Sequence, residues 1–86
     1  GDFHDAVELL EQASGKEPDN PRLRLQLGRA LLQAGETGRA VNELLAARER
    51  APGLADIRLH LAVAFLRDGR VDEARSELQT IGPRLA

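Results

Sequence analysis

At 86 residues with a formal net charge of -2, the chain is sized for one small domain that buries about 60% of its unfolded surface, too little to enclose a large active site. The mixed charges form no basic stripe for nucleic acid, and no run approaches the ~18 apolar residues of a membrane span or has the form of a secretory leader. With no Cys, disulfides and thiolate metal sites are excluded. The apolar residues are mostly Leu, Ala, Val and Ile, beside only Phe3 and Phe65 as aromatics, a composition that suits helices packed through small, interdigitating side chains.

The first predicted helix spans about Phe3 to Ser14, with Phe3, Val7, Leu9 and Leu10 as its apolar residues. Asp19 and Asn20 are cap candidates for a second helix, opened by Pro21 and carrying Leu23, Leu27, Ala30, Leu31 and Ala34 at helical spacing before Gly35 stops it. A third runs from about Thr37 to Ala51 on Ala40, Val41, Leu44, Leu45 and Ala47, until Pro52 and Gly53 break it. A fourth covers about Ala55 to Arg67, ending near Asp68 and Gly69. A fifth covers about Val71 to Ile81 and is expected to end at Gly82 and Pro83. Connections this short make consecutive helices antiparallel neighbours.

A shift of 34 residues pairs Arg24 with Arg58, Leu27 with Leu61, Leu32 with Leu66, Gly35 with Gly69, Ala40 with Ala74 and Leu44 with Leu78, without a gap. The same step backwards pairs Gly1 with Gly35, Ala6 with Ala40, Val7 with Val41, Leu10 with Leu44 and Pro18 with Pro52. A period in this range marks stacked supersecondary units, none able to bury its apolar face alone. The expected fold is all-α, a right-handed α-solenoid of about five helices. Residues 1–20 form the second helix and end of an incomplete repeat, 21–54 a complete repeat, and 55–86 a last, slightly degenerate one.

Counting from Pro21, the places held by Leu27, Gly28, Leu31, Gly35, Ala40, Leu44, Ala47 and Pro52 resemble the tetratricopeptide repeat, whose eighth, twentieth and twenty-seventh positions are small and whose close is a Pro. The aromatic residues of that pattern are absent here. Gly28 and Ala40 would let the two helix backbones approach, with Leu27, Leu31 and Leu44 filling the space around them. The unit from Ala55 departs from the pattern at Ile81 and Pro83. It also carries Arg75 and Gln79 where the previous unit has Val41 and Leu45, the more polar face that a terminal repeat needs.

The resemblance implies a protein-interaction scaffold, not an enzyme, with the first helix of each pair lining a concave groove. By position the lining is Arg22, Leu25, Gln26, Arg29, Leu32 and Gln33 from one unit and Asp56, Leu59, His60, Val63, Leu66 and Arg67 from the next. Such a groove would suit an acidic or amphipathic protein or peptide, Arg22, Arg29 and Arg67 offering paired donors to carboxylates and Leu25, Leu59 and Val63 receiving apolar anchors. A chaperone carboxylate clamp is not expected, because Leu25, Gln26 and Arg29 stand where the family's clamp has Lys and Asn. A structural alternative is a spacer or oligomerisation segment of a larger bacterial secretion or envelope-assembly protein, and a third reading has the module regulate an attached enzyme. Lys16 as the sole Lys beside eleven Arg fits a GC-rich bacterial genome, with cytoplasm and periplasm both open.

Phe3, Val7, Leu9 and Leu10 are the expected self-association surface. Each such side chain contributes roughly 1.5–3 kcal/mol when fully buried, so upstream repeats or a second copy forming a homodimer should cover them. No cofactor is implied. His4 and Glu8, with Asp2 and Asp5 nearby, offer a single imidazole and no clustered second one, short of a metal site. Ser14 and Ser76 lack a His and acid partner, and the recurring glycines lack the Lys and strand context of a phosphate loop. Glu8, Glu11, Glu43, Glu49 and Glu77 are expected on helix exteriors, in pairs with Arg contributing about 0–1 kcal/mol each.

Overall fold

The computed structural model describes residues 3–85, so Gly1 and Asp2, the latter one of the acidic residues near His4, lie outside the described residues. Five α-helices account for the regular structure of that stretch: α1 (Phe3–Lys16), α2 (Pro21–Gln33), α3 (Thr37–Arg50), α4 (Ala55–Arg67) and α5 (Val71–Leu85). Each helix packs on the next in sequence, and α2 also touches α4. The pattern is a stack of helix hairpins, with α2 and α4 side by side as first helices and α1, α3 and α5 as second helices.

Local chemistry sets the helix ends. The Asn20 side-chain Oδ1 accepts from the backbone N–H groups of Arg22 at 3.0 Å and Leu23 at 3.4 Å, satisfying donors that the first turn leaves open, and Pro21 begins the helix without needing one. At the other end Gly35 takes φ +83°, and the Glu36 N–H turns back to the Leu31 carbonyl at 2.9 Å. One period later Gly69 takes φ +77°, and the Arg70 N–H reaches Phe65 O at 2.8 Å. Both are left-handed C-terminal caps that glycine enters without the steric cost of a Cβ. The fifth helix differs from expectation, running through Gly82 and Pro83 to Leu85. A Pro this close to a helix end forfeits a single backbone hydrogen bond, and Ile81, 1% exposed, already fixes the helix against the core.

The core runs the length of the stack. Leu31, Leu44, Ile57, Leu61 and Ile81 are fully buried, with Ala40, Ala47 and Ala64 as small residues between them. At the tightest crossing a Cβ built on Gly28 would lie 2.7 Å from Leu44 Cγ and 2.8 Å from Cδ2. The place has no room for a side chain, which is why α2 and α3 approach so closely there.

Two expectations about the faces are corrected by the packing. Val7 is 5% exposed and belongs to the core, with Leu10 packed half-buried against it, because α2 lies along that side of α1. Only Phe3 and Leu9 of the proposed self-association surface remain open, at 48% and 67%. Glu77 is not on an exterior. Its carboxylate, 7% exposed, accepts from Arg58 at 3.0 Å and from Arg48, two cations arriving from different helices.

Candidate protein-binding groove

The first helices α2 and α4 carry the candidate lining, and Arg67 joins them directly: its Nη1 donates to the Leu32 carbonyl at 3.2 Å, beside the Gly35 N–H that the same oxygen accepts at 3.1 Å. Arg29, Leu32, Gln33, His60, Val63 and Arg67 border one open hollow of about 290 Å³. Leu32 is buried and forms its floor, Val63 and His60 are half-buried, and Arg29, Gln33 and Arg67 are exposed at the rim. His60 Nδ1 lies 2.7 Å from the Asp56 carbonyl oxygen. Since a carbonyl only accepts, that nitrogen carries the proton, and Nε2 is the atom left for another partner.

The structure does not bring every expected lining residue to this hollow. Leu25 is 8% exposed and packed in the core, so it has little surface to offer an apolar anchor; this corrects the reading that placed it in the groove. Leu59, at 37%, does present surface. Arg22 and Asp56 are exposed in the first turns of α2 and α4 without lining the hollow. Gln26 lines a separate cleft beside Ala6 and Leu10, in which Arg29 and Gln33 also take part.

Charge pairing sets three arginines of the first helices apart. Arg24 pairs with Glu43, Arg39 with Glu11 and Glu36, Arg48 and Arg58 with Glu77, Arg50 with Asp19, Arg70 with Asp68 and Glu73, and Arg75 with Asp72. Among the arginines of residues 3–82, whose side chains the structure describes, those with no carboxylate partner are Arg22, Arg29 and Arg67, all on α2 and α4. Elsewhere the pairing is strong enough to move titrations. The Arg70 hydrogen bond holds the Glu73 carboxyl below its usual range and raises the guanidinium in turn, and Glu11 and Glu36 raise Arg39.

A second feature escaped the sequence reading. Leu66, Val71, Ala74, Arg75, Leu78 and Gln79 border an apolar hollow of about 470 Å³ at the α4–α5 end. Leu66 is 51% exposed, whereas Leu32, one period before it, is 6% exposed because α4 lies over it. The 34-residue register contained that signal: an apolar residue repeated at a place whose cover is not repeated. Arg75 and Gln79 on the same end are exposed.

Hairpins stacked at a fixed sequence period, with their first helices side by side, define an α-helical repeat protein. The family model described as tetratricopeptide repeat matches residues 1–54 and again 39–86, and the chain belongs to that family. It is 33% identical over 82 residues to a TPR repeat-containing thioredoxin, TTL4, of Arabidopsis thaliana, covering 95% of this chain and 12% of the relative. Among solved structures it is similar to MamA AMB-1, with a TM-score of 0.88 and 25% identity over 94% of this chain and 44% of that one. MamA MSR-1 shares the fold at a TM-score of 0.83 and 24% identity, over 98% of this chain and 50% of that one. The chain thus spans half or less of the length of each of these proteins. Its 86 residues hold no Cys, so thiol–disulfide chemistry of the thioredoxin kind has no group here to act through. Tetratricopeptide repeats serve generally as protein–protein interaction scaffolds, and no helix among the described residues is long and apolar enough to cross a membrane.

Proposed function

We propose that the α2–α4 face binds an acidic or amphipathic segment of a partner protein in the hollow between Arg29 and Arg67. The carrying observation is the placement of the unpaired arginines. Seven other described arginines have carboxylates to neutralise them, while Arg22, Arg29 and Arg67 on this face have none. Guanidinium groups offer paired donors in a plane that matches a carboxylate; Val63 supplies apolar surface beside them, and Leu59 is exposed outside the hollow on the same helix. Bound carboxylates would meet cations already held in place, since Arg67 is anchored on Leu32 O.

Capture of partners from the source cell by the immobilised chain tests this reading, with Arg29→Glu and Leu59→Glu as groove variants and Arg39→Glu, on α3, as the control. A partner retained by the control and lost with both groove variants is the expected result. Equal capture by all variants removes the groove assignment.

A structural role, as a spacer or oligomerisation segment of a larger protein, is the second reading, favoured by the exposure of Phe3 and Leu9 on α1. It predicts a concentration-dependent mass by light scattering that Leu9→Asp abolishes. A monomer at all concentrations ends it.

A further inference from the structure

The hollow between α2 and α4 carries a cluster that the repeat does not dictate. One period away from Arg29, His60 and Arg67 stand Val63, Gln26 and Gln33, so the 34-residue register does not reproduce the set. Arg29 and Arg67 are exposed, and the core does not require them. Among the described residues no Asp or Glu borders the hollow, whose polar lining is Arg29, Gln33, His60 and Arg67. At about 290 Å³ it falls just under the roughly 300–1,000 Å³ of small-molecule sites, a size for one side chain and its terminal group.

The donors left over at this place are specific. Arg67 is held by Nη1 on the Leu32 carbonyl at 3.2 Å, which leaves Nε and Nη2 to donate to something else. Arg29, facing it from α2, has no carboxylate partner. Two guanidinium groups exceed what one carboxylate neutralises, whereas a phosphate monoester carries about -1.5 to -2 charges at pH 7 and three acceptor oxygens. His60 separates the two anions further. Its Nδ1 donates to the Asp56 carbonyl oxygen 2.7 Å away, so the neutral ring offers only an acceptor at Nε2. An ionised carboxylate also only accepts and makes no bond to that nitrogen. A phosphate monoester, whose second proton leaves near about pH 6, either donates an O–H to Nε2 or accepts from it when the same proton sits on the ring.

We propose that this hollow takes the phosphoryl group of a phosphoserine or phosphothreonine in the partner segment. The proposal rests on the α2–α4 face being the protein-binding surface and narrows its ligand from acidic to phosphorylated. Arg29 and Arg67 hold the phosphoryl oxygens from α2 and α4, Gln33 adds its amide N–H, and His60 Nε2 shares a proton with one oxygen. Val63 packs against the carbon that carries the group. Recognition then depends on a modification of the partner.

The test titrates the full chain, labelled with nitrogen-15, with capped five-residue peptides that have Ala-Leu before and Leu-Ala after a central phosphoserine, Glu or Ser. A six-residue version with Glu-Glu at the centre matches the phosphate charge. The phosphoserine peptide should move the amides of Arg29, Gln33, His60 and Arg67 and bind about 10-fold more tightly than the Glu-Glu peptide, the difference of one charge-assisted hydrogen bond. His60→Leu should remove that preference, and Arg29→Gln should weaken both peptides by about 10-fold; circular dichroism checks that each variant is folded. Equal affinity for the phosphoserine and Glu-Glu peptides overturns the phosphoryl assignment and leaves the acidic-segment reading standing. Binding of neither peptide, or binding that Arg29→Gln does not change, overturns both. Inorganic phosphate that binds as tightly as the phosphoserine peptide overturns the proposal too, because the site then holds a small anion and reads no protein segment.

Discussion

Replacing Gly28 tests the packing that defines the repeat. An added Cβ would stand 2.7 Å and 2.8 Å from Cγ and Cδ2 of Leu44, whose side chain is fully buried and has no free space to swing into. Ala in a helix interior gains about 0.5–1 kcal/mol over Gly, but forcing extra volume into a packed core costs typically about 1–3 kcal/mol. Overpacking wins, and Gly28→Ala should lose about 1 kcal/mol, which lowers Tm by about 4–8 °C in a domain of this size. Gly15→Ala is the matched control. It lies in α1 with nothing within 4 Å of the new Cβ, so the helix term acts alone and the variant should gain stability. Urea denaturation followed by circular dichroism reads both. Gly28→Ala with Leu44→Val should lose less than the sum of the single variants, because the second change makes room for the first. If Gly28→Ala stabilises the protein as Gly15→Ala does, the α2–α3 contact is not the constraint argued here.

Glu77→Gln leaves Arg48 and Arg58 without a carboxylate in a largely closed setting. It should cost about 2–3 kcal/mol in urea denaturation, against less than about 0.5 kcal/mol for the exposed Asp72→Asn. Asn20→Ala removes the acceptor for two first-turn amides and should cost about 1 kcal/mol, with the Arg22 and Leu23 amides showing faster exchange. The Glu73 carboxyl should titrate below an ordinary Glu by NMR and return toward the usual range in Arg70→Gln. Its folded pKa is depressed, so the stabilisation it lends is present above the unfolded value and is lost as pH falls through the folded one.

The unpaired arginines alter what the groove reading rests on. From sequence, Arg22, Arg29 and Arg67 are three among eleven arginines. Only the placement of Glu43, Glu77, Asp19 and the other carboxylates shows that these three are left without ion pairs. Glu77 makes the same point in reverse. It resembles any surface glutamate of a helix until Arg48 and Arg58, 29 and 19 residues away in sequence, are seen to converge on it.

The sequence alone determined the helices and their register. Asn20, Pro21, Gly35 and Gly69 act on hydrogen bonds within a few residues, so the start of α2 and the ends of α2 and α4 follow from the neighbouring residues. The 34-residue period fixes which of those helices are equivalent. The tertiary structure decided which apolar and charged side chains are covered. Val7 and Leu25 are buried and Leu9 and Leu66 are open, although all four are apolar residues within helices. Burial depends on which neighbouring helix lies across a face. The 34-residue repeat in the sequence reproduces the residue at each place, but not the neighbour that covers it.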